Sequence, residues 1–415
     1  MQTTHIDPPA SYLGLIKSNK NFRRLWLSTV VSQLGDWFNF IALITIITDL
    51  SASPLKLGVI FIAKALPGAI FSPIAGLLVD RFNRRRLMIF CDVARAIIVL
   101  GFLLVDSDQK IYLAYVFTTL QVVVSAIFHP AQAAALPNIV SKQNLLTANT
   151  IMAASWSTML AVGAAIGGFA TLVLGPDSVF VVDSITYIVS AVFIIGTVIP
   201  QEPAEKARLS VLKTIVQDLR SGWGYLREHP FVRKITWAKA VWASGGSALV
   251  FMLALLAQEI DPGRESLAFG ILFAARGLGT GLGPIIARRW VPKKTSWPRM
   301  LGLLVLTSGL FYFLVGLMPW TYVVIVFVVV AHTAGGANWV LATVILQQET
   351  EDNFRGRVFA TEWVFIMLTD ALSTLSASLA LEFGLLSLRG AVLVFALIQI
   401  VFGAIWAASF LRPKN

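Results

Sequence analysis

Gly76-Leu77-Leu78-Val79-Asp80-Arg81-Phe82-Asn83-Arg84-Arg85-Arg86 puts five charges into its last seven residues. The chain on either side is apolar, over about 55–78 before the stretch and about 87–105 after it. Each flank is long enough to cross roughly 30 Å of hydrocarbon as a helix, so the basic turn joins two membrane spans. The glycine lets a neighbouring helix approach closely. Asp80 stands where it can meet the positive N-terminal end of an adjacent helix, and the arginines can grip carboxylates.

Working outward from this hairpin, apolar stretches run at about 22–49, 55–78, 87–105, 111–137, 145–174, 179–199, 235–257, 266–288, 299–318, 321–346, 357–382 and 386–410. That makes twelve spans, and their length excludes the alternating ten-residue segments of a transmembrane barrel. Of the 415 residues, 57% are apolar and only 13% charged. A water-soluble domain carries about 25% charged residues, so no room remains for a separate soluble enzyme. No nucleophile, base and orienting group stand at a recognisable spacing, and no phosphate-binding loop is present. The single Cys91 excludes a cysteine metal cluster, and neither metal nor cofactor is expected. The net charge of +11 is not a nucleic-acid footprint, because the cations lie between apolar runs. The first run lacks a small-residue cleavage site and is expected to stay in the membrane.

Twenty-five of the 33 lysines and arginines fall in the N-terminal segment, the loops on its side and the C-terminus; four lie in the opposite loops and four within spans. The positive-inside rule then puts both termini in the cytoplasm. The longest loop gives three parts: 1–199, 200–234 and 235–415. In that loop Leu212, Ile215, Leu219, Trp223 and Leu226 recur at helical spacing, the pattern of an amphipathic helix on the membrane surface, with a plain tether as the alternative. The two larger parts are related. A shift of 212 residues lays Ser53–Gly68 over Glu265–Thr280, pairing Gly58 with Gly270 and Lys64 with Arg276. Two buried cations at equivalent depth point to duplicated six-helix halves with a site between them, the plan of a secondary transporter.

The Gly76 to Arg86 stretch resembles the signature of the major facilitator superfamily. The resemblance implies a cytoplasmic gate in which Gly76, Asp80, Arg81, Arg84 and Arg85 latch the outward-facing state, with Asp92 and the start of the eleventh span as partners; Asp92 and Arg95, at i and i+3, are expected to form a local or gate-latch pair. Asn83 stands where the family usually has glycine, and asparagine tolerates left-handed backbone. Gly163-Ala164-Ala165-Ile166-Gly167-Gly168 is similar to a glycine-rich signature of exporter branches, with Ala164 in place of proline, and Gly163 and Gly167 form a helix-packing pair. Arg355-Gly356-Arg357-Val358, His129-Pro130, Leu136-Pro137 and Gly35-Asp36-Trp37 resemble the branch of macrolide-efflux proteins and the enterobactin exporter. The arginine which that group often carries in the fourth span is absent, Val122 standing at its position.

Charges inside the spans need partners, water or a function. Asp36 lies about 18 Å into the first span, at 1.5 Å per residue. With Gln33 and Asn39 it forms a polar stripe suited to a cavity wall, and Lys64 lies at comparable depth. Asp36 is expected to take up a proton, with Lys64 moderating it; a static ion pair is the alternative. Arg276 and Asp370 are candidates for cargo or coupling, and Glu362 for the cavity or, with Arg355 and Arg357, the gate. Asp183 and Lys239 are expected near wet helix ends. Trp37, Phe40, Trp242, Phe251, Trp339, Trp363 and Phe365 can offer aromatic walls to an amphipathic cargo.

The reading is an all-α membrane protein of twelve spans in two pseudo-symmetric six-helix bundles. It is expected to act as a monomer in a bacterial inner membrane, exporting an amphipathic small molecule in exchange for protons. A lysophospholipid flippase and a non-transporting sensor or scaffold are the competing readings.

Overall fold

The computed structural model describes residues 11–201, 211–290, 296–351 and 354–410. The side chains of 73, 80, 211–219 and 288–290 lie outside that description. Among the described residues the chain is helical, without strands, and twelve helices are long and apolar enough to cross a membrane. They are α1 (Lys20–Leu50), α2 (Pro54–Arg81), α3 (Arg84–Leu100), α4 (Ile111–Ile139), α5 (Lys142–Leu174), α6 (Pro176–Ile195), α7 (Pro230–Ile260), α8 (Glu265–Trp290), α9 (Trp297–Leu317), α10 (Val324–Glu349), α11 (Arg355–Glu382) and α12 (Leu388–Ala408). A short helix, Tyr12–Ser18, precedes them, and Val211–Glu228 lies between the sixth and seventh.

Local chemistry sets the boundaries. The Asn19 carboxamide accepts from Phe22 N at 2.9 Å to start α1, and Ser53 followed by Pro54 starts α2. Asn83 caps α3, its side chain accepting from Arg86 N at 3.1 Å. Its backbone is extended, with φ −63°, so the residue is accommodated as a helix cap and not by left-handed backbone. In α5 a π-helical turn spans Met159–Gly163, so this helix is irregular beside Gly163 without a proline at 164.

The packing repeats. In the first half α1 packs on α6, α6 on α3, α3 on α4 and α4 on α2; in the second, α7 packs on α12, α12 on α9, α9 on α10 and α10 on α8. The halves join through α2 with α11 and α5 with α8, again an equivalent pair. Both joints need small residues. A Cβ on Gly58 would fall 2.7 Å from Ser378 Cβ, and one on Gly168 would fall 3.0 Å from Gly270 Cα. Gly58 and Gly270 are the glycines that the 212-residue shift superposes.

The buried apolar side chains form one large cluster that includes both halves and two smaller ones confined to a single half. The shared cluster occupies the end where α1 turns into α2 and α7 into α8, with Phe40, Phe251, Phe269 and Phe273 at its centre. At the end that carries the termini the two cores are separate. The bundles are therefore fused at one end and split at the other, with Trp156, Leu278, Leu282, Trp339 and Trp363 exposed near the split. The amphipathic helix does not simply float on the surface: Tyr225 and Leu226 are buried in the second half's core, and Gly222 lies against the Arg357 backbone. Leu212, Ile215 and Leu219 lie outside the described side chains.

Candidate functional site

The sequence Gly35-Asp36 meets α6 at a close crossing. Gly35 leaves room for the Asp183 carboxylate and the Thr186 hydroxyl, both of which a Cβ there would overlap. Asp36, half-buried, accepts a hydrogen bond from the Tyr187 hydroxyl, and Gln121 of α4 donates to that same hydroxyl at 2.9 Å. Behind Tyr187, Arg95 is sandwiched between its ring and that of Phe128, each 4.4 Å from the guanidinium carbon. Arg95 is ion-paired to Asp92, one turn earlier on α3, and Ser190 of α6 donates to the other Asp92 oxygen at 2.7 Å. Asp92 and Arg95 thus make a fully buried local pair.

Lys64 forms no ion pair with Asp36. Its ammonium sits 4.6 Å from the centroid of the Phe40 ring, close enough to Asp36 and Asp183 to interact electrostatically with both. The polar stripe does not line a cavity along its whole length: Gln33 and Asp36 are half-buried, whereas Asn39 is fully buried with neither amide atom bonded. Trp37 is half-buried and Phe40 buried. They pack with Phe273 across the halves, at 6.1 and 5.4 Å between ring centroids, and Trp37 also fills the space left by Gly163, while Gly167 rests on Phe38.

In the second half Arg276 is half-buried at the depth of Lys64, 5.2 Å from the Phe273 centroid, and it interacts with Asp370 and Tyr312. Asp370 has the Ser247 hydroxyl beside it. Glu362 does not turn to Arg357. It pairs with Lys239 at 3.0 Å, and both side chains are nearly inaccessible. Lys239 also lies 4.6 Å from the Trp339 centroid, and Trp339 meets Trp363 edge to face. Lys239 and Asp183 are therefore buried, not wet, because the rotation of α7 and α6 turns them inward.

Two arginines of the gate cluster are engaged within their own half. Arg84 donates to the Ala134 carbonyl at 3.1 Å and to Asn138 at 2.9 Å, and Arg85 donates to the carbonyls of Ile194 and Ile195. Asp92 is committed to Arg95 and Ser190, so it is not their partner. A Cβ on Gly76 would meet nothing, as expected where the halves are apart. The Asp80 side chain lies outside the described residues. Arg355 donates to the Thr350 carbonyl at 3.2 Å, and Arg357 rests on Phe354.

Tyr187, Ser190 and the burial of Asp183 escaped the sequence reading. The signal was present: Asp183, Tyr187 and Ser190 recur at i, i+4 and i+7, one polar face on an otherwise apolar helix. A groove of about 440 Å³ also escaped it, between α1 and α5 at the split end, lined by Trp26, Val30, Ile151, Ala154 and Met159. Trp26 bridges it by donating to Ser155 at 2.8 Å.

The profile of the Major Facilitator Superfamily matches residues 25–372. The MFS-type transporter YfiS of Bacillus subtilis is 27% identical over 221 residues, which span 52% of this chain and 52% of that relative, about half of its length. BacE of the same organism, a protein named for bacilysin export, is 24% identical over 82% of this chain and 83% of its own. The staphyloferrin A transporter of Staphylococcus aureus is 22% identical over 80% and 83%. Among solved structures, a bacterial homologue of the human lysosomal transporter Spinster, inward-facing and unoccupied, superposes with a TM-score of 0.72 at 15% identity, covering 95% of this chain and 98% of that one. The nucleoside transporter NupG gives 0.70 at 13% identity over 94% and 99%. With twelve spans in two equivalent halves and a family match over most of its length, this chain belongs to the major facilitator superfamily and is a multi-pass membrane transporter, not an enzyme.

Proposed function

We propose that this transporter exports an amphipathic small molecule in exchange for protons by alternating access, with Asp36 as the proton-accepting group. The observation that carries the reading is the setting of Asp36. It is a half-buried carboxylate in the middle of α1, bonded to Tyr187 and near Lys64 without an ion pair to lock it. A static pair would have closed on itself; this one is free to change partners. The names of BacE and the staphyloferrin A transporter support a small-molecule cargo.

The remaining parts fit the same cycle. The loop charges support cytoplasmic termini in a bacterial inner membrane, with the split end facing inward and the fused end outward. The halves, 1–199 and 235–415, rock about the α2–α11 and α5–α8 joints as a monomer, with 200–234 as the tether. Cargo enters between Gln33, Arg276, Asp370 and Trp339, and the Gly76–Arg85 cluster with Arg355 and Arg357 closes the inner gate. One proton moving inward supplies roughly 2.3 kcal/mol per 100 mV of potential and about 1.4 per pH unit. The lateral groove between α1 and α5 favours one second reading, a lysophospholipid flippase that takes its cargo from the bilayer.

The test is proton movement in proteoliposomes, triggered in turn by ethidium, a macrolide, a catecholate siderophore and a lysophospholipid, with wild type beside Asp36→Asn. Export is expected to move protons with one class in wild type and with none in the variant. Lysophospholipid transfer without proton movement in either protein would replace the exporter with the flippase.

A further inference from the structure

The exporter reading makes no use of Asp183. This side chain is fully buried on α6, and α1 is carved to receive it at Gly35. The Thr186 hydroxyl donates to one of its oxygens at 3.2 Å, while the other, Oδ2, is buried with no hydrogen-bond partner. Asn39 stands one turn beyond Gly35 on the same face of α1, where Cβ positions are about 5–6 Å apart. It too is fully buried, with both amide atoms unbonded. Two buried groups with unused hydrogen-bonding capacity therefore lie about the Gly35 crossing of α1 and α6.

The charges around that crossing do not balance. Asp36 faces it from α1, Lys64 from α2, and Asp92 with Arg95 from α3; Tyr187 of α6, and Gln121 and His129 of α4, complete the polar surroundings. Within its transmembrane part α5 contributes no charged residue. Arg95 is taken by Asp92. Two carboxylates, Asp36 and Asp183, are left to one ammonium, Lys64, which is ion-paired to neither. An ion left uncompensated in such a place is strongly disfavoured. A single proton on a carboxylate oxygen cancels the excess. Tyr187, which donates to Asp36, holds that carboxylate as the acceptor.

We infer that Asp36 and Asp183 form a two-carboxylate site that holds one proton, carried by Asp183 and exchanged with the open cavity through the half-buried Asp36. This rests on the proton-coupled reading, with Asp183 added as the group that stores what Asp36 passes on. Binding and release are O–H bond formation and cleavage at a carboxylate oxygen, and the proton comes from water in the cavity.

Infrared spectroscopy of the purified protein counts protonated carboxyl groups by their carbonyl band. The wild type is expected to lose one such band in Asp183→Asn. Asp36→Asn leaves Asp183 facing Lys64 one to one and is expected to lose it as well. Lys64→Met leaves both carboxylates in place without a cation and is expected to double the band, so the test survives if Asp183→Asn fails to fold. A band lost only in Asp183→Asn and indifferent to Asp36 and Lys64 overturns the shared site, as does a band unchanged in all three. Proton-coupled transport that persists in Asp183→Asn overturns it and leaves the exporter standing. If wild type moves no protons with any probe, the exporter reading falls, and the infrared bands still decide whether the pair holds a proton.

Discussion

Where α1 crosses α6, Gly35 lies against Asp183 and Thr186; where α7 crosses α12, Gly245 lies against the Phe395 carbonyl and Gln399. The positions correspond, at an offset of 210 residues on the first helix of each pair and 212 on the second. Asp36 follows Gly35, and Gly246 follows Gly245. Tyr187 donates to Asp36, whereas Gln399, its counterpart, donates to the Trp242 carbonyl at 2.9 Å. The close approach is common to both halves and the carboxylates belong to one. Charge is therefore not what holds such a crossing together; it has been added where a small residue already made room.

The largest expected effect comes from removing a cation from each half. In the second half Lys239 and Glu362 are matched one to one. Lys239→Met strands a buried carboxylate and should lower stability by about 3–5 kcal/mol, read as a large drop in the thermal midpoint in detergent. Removing Glu362 as well should restore most of it. Lys64→Met should cost clearly less, because Lys64 belongs to no closed pair and a proton can replace the ammonium. Equal losses in the two variants would erase the contrast between the halves.

Next in size are the glycines. A Cβ on Gly245 collides with the backbone oxygen of Phe395, which can move only if α12 moves. Overpacking of this kind costs about 1–3 kcal/mol, and Gly245→Ala should show it. At Gly35 the colliding atoms are the tips of Asp183 and Thr186. Gly35→Ala should therefore destabilise less, yet alter the pH profile of transport more, because the atoms it displaces are those of the carboxylate. A variant at Gly245 that shifted the pH profile as strongly would undo this assignment.

How far the sequence carried the reading depends on which coordinate was asked of it. Hydropathy reports depth, so the twelve spans were legible, and the 212-residue shift paired Gly58 with Gly270 and Lys64 with Arg276; the place of those glycines at the joints between the halves came from the packing. Rotation about each helix axis was not legible, and rotation decides burial. Asp183 and Lys239 looked wet because they lie toward span ends, but α6 and α7 turn them inward. Asp92 looked like a gate partner by its position after the arginine cluster. Its partner Arg95 stands one turn along the same helix, as the i, i+3 spacing allows, whereas its second partner, Ser190, depends on α3 packing against α6, which no local pattern encodes. Asn83 shows a further limit. A residue type was explained by the backbone it tolerates, while its side chain was serving as a helix cap.

The smallest expected effect separates the gate from the scaffold. Arg85 reaches the carbonyls of Ile194 and Ile195 at the C-terminal end of α6, where a cation complements the helix dipole. Contacts of this sort contribute about 0.3–1 kcal/mol, so Arg85→Gln should leave the thermal midpoint nearly unchanged. Its effect on transport is a separate quantity. In the split conformation the arginine holds its own half; the proposed latch has it meet α11 in the opposite conformation. If the cluster latches that state, Arg85→Gln should slow turnover several-fold at almost constant stability. If stability falls as far as in Gly245→Ala, Arg85 is a structural cap on α6 and the latch must lie elsewhere.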